Sequence, residues 1–221
     1  MPTFLPFNEM EPWLRQALQM PLPGLQQQLA MAPPYRDVPS EAWVRQQNPR
    51  LAAVLVLLCA NEWGWQLVFT KRRAYAGVHS AQVSFPGGKL EEQDADLLAA
   101  ALRETEEEVG VPTSLVQVVG ALTPLYIPPS NFLVHPYVGI LPERVTWQPD
   151  ETEVDVLLEI PLDYLHSPDA RALRIIQVGA GEREVPGFVW QEHFIWGATA
   201  MMLEEFLSIT ARMNEELKTK S

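Results

Sequence analysis

Between Phe85 and Val111 the chain reads FPGGKLEEQDADLLAAALRETEEEVGV: a Pro-Gly-Gly turn, an acidic loop, then an alanine-rich run at helical spacing. Asp94 or Asp96 can accept backbone N–H bonds as the N-cap of that helix. Leu98, Ala101 or Leu102, Thr105 and Val109 recur at spacings of three and four, so this stripe packs on a sheet. Glu104, Glu107 and Glu108 then share an adjacent face, with Arg103 four residues before Glu107 to hold its carboxylate. Glu106 points elsewhere, into solvent. Like charges within one turn weaken a helix by a few tenths of a kcal/mol per pair, and the dipole disfavours anions at its C-terminal end. Hard divalent cations would cancel that repulsion; the alternative is a plain solvated acidic face. The glycines Gly87 and Gly88 favour the first reading, because they let the backbone approach a ligand closely.

The rest of the chain supplies a sheet for this helix. Leu51–Cys59 is a continuous apolar run of strand length, as a strand covered on both faces requires. Asn61-Glu62-Trp63-Gly64 reads as a hairpin turn, Trp65–Thr70 as the returning strand and Gln82–Phe85 as a short strand entering the Pro86-Gly87-Gly88 turn. Val116–Thr123 and Phe132–Ile140 are strands separated by a loop over 127–131. Val154–Ile160 is another, followed by a helical turn at Pro161–His166. Leu173–Val178 and Val185–Phe194 form a strand pair, and a helix over Ala198–Leu217 closes the chain. Its stripe of Met201, Met202, Phe206, Ile209 and Met213 reads as core or as a dimer surface. Many strands with two main helices indicate an α+β protein, or an α/β/α sandwich with a mixed central sheet. Residues 1–48, rich in Pro and Gln, read as an N-terminal extension, with a helix over Glu11–Met20 and a further turn at Leu25–Met31. It could serve as an arm, a lid, or a segment packed on the main domain of 49–221.

Composition narrows the function. At 221 residues with 47% hydrophobic content, the chain can bury a substantial core. A formal charge of −12 argues against nonspecific nucleic-acid binding and against an anionic membrane surface. It does not exclude a phosphorylated small molecule, because bound cations invert the local field. Cys59 is the one cysteine; it sits in an apolar run and reads as a small buried hydrophobe. No secretion signal and no membrane-spanning run is evident, so a cytoplasmic protein is expected.

In this setting Gly88–Val111 resembles the Nudix box, Gly-x5-Glu-x7-Arg-Glu-U-x-Glu-Glu-x-Gly-U, where U is apolar. Asp94 stands at the first glutamate, one extra residue precedes Arg103, and Thr105 occupies an apolar position. The longer spacing resembles the branch of coenzyme A pyrophosphatases. So do Thr70-x-Arg72 with His79-x-x-Gln82-Val83-x-Phe85-Pro86-Gly87-Gly88, Glu153-Val154 with Glu159-x-Pro161, and Phe194-x-Trp196-Gly197-x-Thr199-Ala200. The resemblance spans about residues 50–210. It implies a hydrolase that uses Mg²⁺ or Mn²⁺ to cleave a pyrophosphate linked to a nucleoside. Coenzyme A would give adenosine 3′,5′-bisphosphate and 4′-phosphopantetheine. Glu104, Glu107 and Glu108 would be metal ligands and Arg103 their orienting partner. Gly77 stands where that branch has an arginine and Ala81 where it has a glycine. NADH, ADP-ribose, nucleotide sugars or a silent nucleotide-binding module therefore stay open, as does a homodimer.

Individual residues also admit plainer roles. Arg72 could pair with a phosphate oxygen, and Gln82, Gly87 and Gly88 belong to the same motif. Lys71 and Arg73 fall on the opposite strand face from Arg72, and Lys71 reads as a solvated charge on an edge strand. His79 could bind phosphate or cap a turn. Glu153 is a candidate general base or further metal ligand, or an ordinary exposed glutamate. His135, His166 and His193 have no metal-like spacing and read as structural.

Overall fold

In a computed structural model of the chain, the described residues are 5–73, 82–178 and 181–220. Three helices come first: α1 (Phe7–Ala17), α2 (Gly24–Gln28) and α3 (Glu41–Gln46). Helix α3 is absent from the sequence reading; its signal is Ser40, whose hydroxyl accepts the Trp43 N–H at 3.2 Å as an N-cap. Strands β1 (Arg50–Asn61), β2 (Gly64–Arg72), β3 (Val83–Ser84) and β4 (Gly87–Lys89) lead into α4 (Leu97–Val109). After it come β5 (Gln117–Ala121), β6 (Leu125–Ile127), β7 (Phe132–Leu141), β8 (Val154–Pro161) and α5 (Leu162–His166). Strands β9 (Arg171–Val178), β10 (Gly181–Trp190) and β11 (His193–Trp196) precede α6 (Gly197–Lys220).

Strands β1 to β8 form one mixed sheet with β1 at its centre. The strand β7 runs parallel to β1 along its whole length, while β2 and β4 pair antiparallel with the other edge of β1. This explains the unbroken apolar run in β1. Its side chains alternate, Leu55, Leu57 and Cys59 packing with Val109 of α4, and Ala52, Val56 and Leu58 joining a larger core with α1 and α6. The sheet therefore lies between helices, the three-layer mixed α/β arrangement expected. Strands β9, β10 and β11 form a separate antiparallel sheet.

Several local readings need correction. The Pro86-Gly87-Gly88 turn continues as a strand, because Gly87, at φ +145°, can lie against Ala53 where an added Cβ would fall 2.4 Å from the carbonyl oxygen. The loop at 127–131 contains the end of β6 and a 3-10 turn, Pro128–Ser130, closed by Asn131 at φ +51°. The single strand read over 185–194 is broken at Gln191, φ +54°, into the hairpin of β10 and β11. Lys71 is not on an edge: it faces Val83 of β3 on one side and Val156 of β8 on the other, and its Nζ lies 3.1 Å from Asp155.

Met10, Leu14, Leu18 and Met31 from the N-terminal segment enter the same core as β1 and β7. Glu205 of α6, completely buried, accepts from Gly24 N, Gln28 Nε2 and both the N–H and hydroxyl of Thr123. One carboxylate thus ties the start of α2 and the chain after β5 to the last helix. Met201, Met202, Phe206, Ile209 and Met213 all lie in that core. Among the described residues, no helix is long and apolar enough to cross a membrane.

Candidate functional site

The helix α4 begins at Asp96, whose Oδ1 accepts the Ala99 N–H at 2.8 Å, and ends at Gly110 in the left-handed region at φ +72°. Its buried face is Ala100, Ala101, Thr105, Glu108 and Val109, while Leu98 is only half-buried. The Thr105 hydroxyl donates to the Ala101 carbonyl at 2.7 Å, which settles a polar side chain at an apolar position. Asp94 is no cap. It receives Arg103 through two bonds, Nε to Oδ1 at 2.8 Å and Nη2 to Oδ2 at 3.0 Å, and its Oδ2 also accepts the Glu91 N–H. Hydrogen bonding from Arg103 holds its carboxyl below the usual range.

So anchored, Arg103 turns Nη1 to Glu107 at 2.9 Å and to Glu104 at 3.1 Å. The three glutamates differ sharply in surroundings. Glu107 is exposed. Glu104 is largely covered, its carboxylate filling the space over Gly88, where an added Cβ would lie 2.2 Å from Cδ. Burial raises its pKa and Arg103 opposes the shift. Glu108, with a side chain 2% exposed, lies behind the Gly87 strand. It accepts from Arg72 Nη2 and Gly87 N, each at 3.1 Å, and from the Thr70 hydroxyl at 3.4 Å. Desolvation pushes its pKa up to about 7, against the pull of Arg72 and the Gly87 N–H.

A cleft of about 1300 Å³ opens over these groups. Arg72, Gln82, Gly87, Gly88, Arg103, Glu104, Glu107 and Glu153 all border it, whereas Glu108 does not. Glu153 is held by its backbone, its N–H on the Asp150 carbonyl and its carbonyl accepting from Arg73 N. His79, Gly77 and Ala81 lie outside the described residues. His135, His166 and His193 are away from the cleft; His166 Nε2 meets the Thr210 hydroxyl at 2.9 Å. Cys59 is buried, its Sγ 3.5 Å from Glu159, and burial raises its pKa.

The cleft also has walls that sequence reasoning missed. Trp196 and Thr199, which the sequence placed only in a stretch resembling the coenzyme A branch and not in the site, line it at the start of α6. Pro33, Tyr35, Arg36 and Asp37 of the N-terminal segment and Pro128–Ser130 line it too. The Trp-Gly step could have suggested the first wall, but nothing in the sequence pairs Arg36 with Tyr126 of β6.

Donors at the acidic end are all carboxylate oxygens, the kind that suits a hard divalent cation. As the side chains stand, no three acidic groups among the described residues converge on one point. Arg103 spans two of them, and Arg72 with Gly87 N–H occupies the third.

Comparison with known proteins gives a consistent result. The NUDIX domain family matches residues 49–174. A protein called an uncharacterized Nudix hydrolase, NudL, from Salmonella paratyphi B is 39% identical over 160 residues, 72% of this chain and 81% of that protein. NudL of Salmonella newport matches to the same extent. Among solved structures, a MutT/nudix family protein from Enterococcus faecalis covers 96% of this chain and 76% of its own, at 13% identity and a TM-score of 0.47.

Proposed function

Because the chain belongs to the NUDIX domain family, we propose that it is a metal-dependent hydrolase cleaving the pyrophosphate of coenzyme A or a derivative. The observation that carries this is the cleft, where the Gly87-Gly88 strand, Arg103, Glu104 and Glu107 meet Arg72 and Glu153 at one mouth. Support for the coenzyme A branch is narrower. Arg72, Gln82, Trp196, Gly197 and Thr199, from separate stretches that resemble that branch, border the same cleft.

In this reading Glu104 and Glu107 at the cleft would hold Mg²⁺ or Mn²⁺, with Glu108 joining them on leaving Arg72 and the Gly87 N–H. The ion would supply a Lewis acid for the pyrophosphate oxygens and lower the pKa of a water. Arg103 is the positioning group: its two bonds to Asp94 fix the guanidinium, and its bonds to Glu104 and Glu107 are the ones that would yield to a bound cation. Asp94 thereby gives the substituted first half of the motif a function, as the anchor for Arg103. Gly88 leaves room for the Glu104 carboxylate, and any side chain there would displace it. Arg72, on the wall between Glu108 and the Gly87 carbonyl, offers its remaining N–H groups to a phosphate oxygen. Glu153, which also borders the cleft, is the candidate base.

The test is incubation with Mg²⁺ or Mn²⁺ and coenzyme A, acyl-coenzyme A, NADH, ADP-ribose and nucleotide sugars, with products resolved by chromatography. Preferred release of adenosine 3′,5′-bisphosphate from coenzyme A is expected. Preferred cleavage of another compound moves the substrate, and cleavage of none with saturable binding of one marks a silent module. Glu107→Gln should lower kcat by roughly 10²–10³-fold without altering the unfolding transition. Near wild-type turnover would remove Glu107 from the ligand set.

A further inference from the structure

Among the described residues, four cations border the cleft: Arg36, Arg72, Lys89 and Arg103. Three are matched by carboxylates, Arg72 by Glu108, Lys89 by Glu91, and Arg103 by Asp94, Glu104 and Glu107. Arg36 is different. Its Nη2 donates to the Tyr126 carbonyl, and among the described residues no carboxylate lies within ion-pair distance of its guanidinium. Asp37, its neighbour in the chain, borders the cleft without pairing with it. Burial lowers the Arg36 pKa, so the charge is held partly desolvated without a counter-ion. Most of its five N–H donors are left for a ligand.

Arg36 N donates to the Pro33 carbonyl, and the helix that follows it, α3, is tied to the same part of the sheet. Trp43 packs edge-on against the Tyr126 ring at 6.0 Å, the Tyr126 hydroxyl donates to Asn131 Oδ1 at 2.9 Å, and Asn131 Nδ2 reaches the Gln47 carbonyl at 3.2 Å. Strand order then sets its distance from the acidic end. Gly88 pairs with Ala53 of β1, Ala53 with His135 of β7, and on the far side of β7 Tyr126 of β6 pairs with Leu133. Three strand spacings and a two-residue offset along β7 separate Gly88 from Tyr126, about 16 Å. A charge-assisted contact reaching in by ~3 Å from each end leaves roughly 10 Å between two bound anions. Across the floor lie the apolar Ala52, Val54, Phe132 and Val134. That span suits a ribose with the scissile pyrophosphate on one hydroxyl and a further phosphate on another.

We propose that Arg36 is a specificity-determining residue that binds a second, non-reacting phosphate on the ribose of the substrate. This rests on the hydrolase reading for its kinetic form, so the experiment also includes binding without catalysis. Wild type, Arg36→Gln and Arg36→Lys are compared on two matched pairs, coenzyme A against 3′-dephospho-coenzyme A and NADPH against NADH. Hydrolysis is followed with Mg²⁺, and binding by calorimetry in EDTA. For at least one pair the wild type should prefer the phosphorylated member. Arg36→Gln should raise KM or Kd for that member by roughly ten- to a hundred-fold, with kcat and the values for the other member unchanged, and Arg36→Lys should recover part of the loss. If hydrolysis fails everywhere while the binding difference stands, the hydrolase reading falls and the Arg36 assignment survives. Equal effects on both members of each pair, no effect, or no binding of any of the four would overturn it. Matching thermal unfolding of the variants separates a local loss from a damaged fold.

Discussion

At the scale of single residues, the adjacent glycines of the motif do different work. A Cβ on Gly87 would meet backbone, 2.4 Å from the Ala53 carbonyl oxygen, at a φ of +145° that side chains resist. Gly87→Ala should therefore part β4 from β1 and cost about 2–4 kcal/mol, seen as a lower urea midpoint. The nearest atoms to a Cβ on Gly88 would be the end of the Glu104 side chain, which can swing away. Gly88→Ala should keep most of its stability and lose activity and cation affinity instead. Similar urea midpoints for the two variants would contradict this division. The sequence made both glycines conspicuous without separating them, because the distinction depends on which strand lies behind each. The same limit applied to the three glutamates. Helical spacing puts them on one face, but it could not show that Arg72 and the Gly87 N–H would draw Glu108 under the turn. Nor could it show Arg103 gripping Asp94.

Among the elements, those with strong periodicity or long apolar runs were legible: β1, β7, α4 and α6 stand close to where the pattern put them. Short strands were not. The residues of β4, Gly-Gly-Lys, have turn composition, and β6 is only three residues long; both become strands because β1 and β7 offer edges to pair with. The contact between α5 and α6 was equally hidden, and it carries a pH dependence. His166, at the end of α5, bonds to Thr210 of α6, and burial, helped by Arg171, lowers its pKa to about 4. Between about pH 4 and the ordinary value of 6.5 the unfolded chain takes up a proton that the folded chain refuses. Stability from this site is thus complete above pH 6.5 and declines as pH falls towards 4. Urea midpoints at pH 7 and pH 5 should fall further for wild type than for His166→Gln, which cannot titrate there. Parallel losses would place the acid sensitivity elsewhere.

For the whole molecule, the composition shift near residue 48 invites a boundary between an appendage and a domain, yet the packing crosses it. Met10, Leu14, Leu18 and Met31 lie in the core beneath β1 and β7. Fully burying four such side chains is worth about 6–12 kcal/mol, comparable with the ~5–15 kcal/mol that typically holds a domain folded. The buried Glu205 would also lose two of its partners, Gly24 N and Gln28 Nε2, leaving a carboxylate to be solvated inside the protein. The segment is written in Pro and Gln, which hides this dependence: a few apolar residues spaced along a polar run look like a linker until the surface they cover is known. A chain of residues 49–221 should therefore lack a sharp thermal transition and bind a hydrophobic dye, with its cleft open where Pro33–Asp37 now stand. A cooperative transition at the full chain's urea midpoint would instead make the first 48 residues a true appendage. In that case any effect of Arg36 on substrate choice would come from an arm that can be removed, and the shortened chain should behave like Arg36→Gln towards each matched substrate pair.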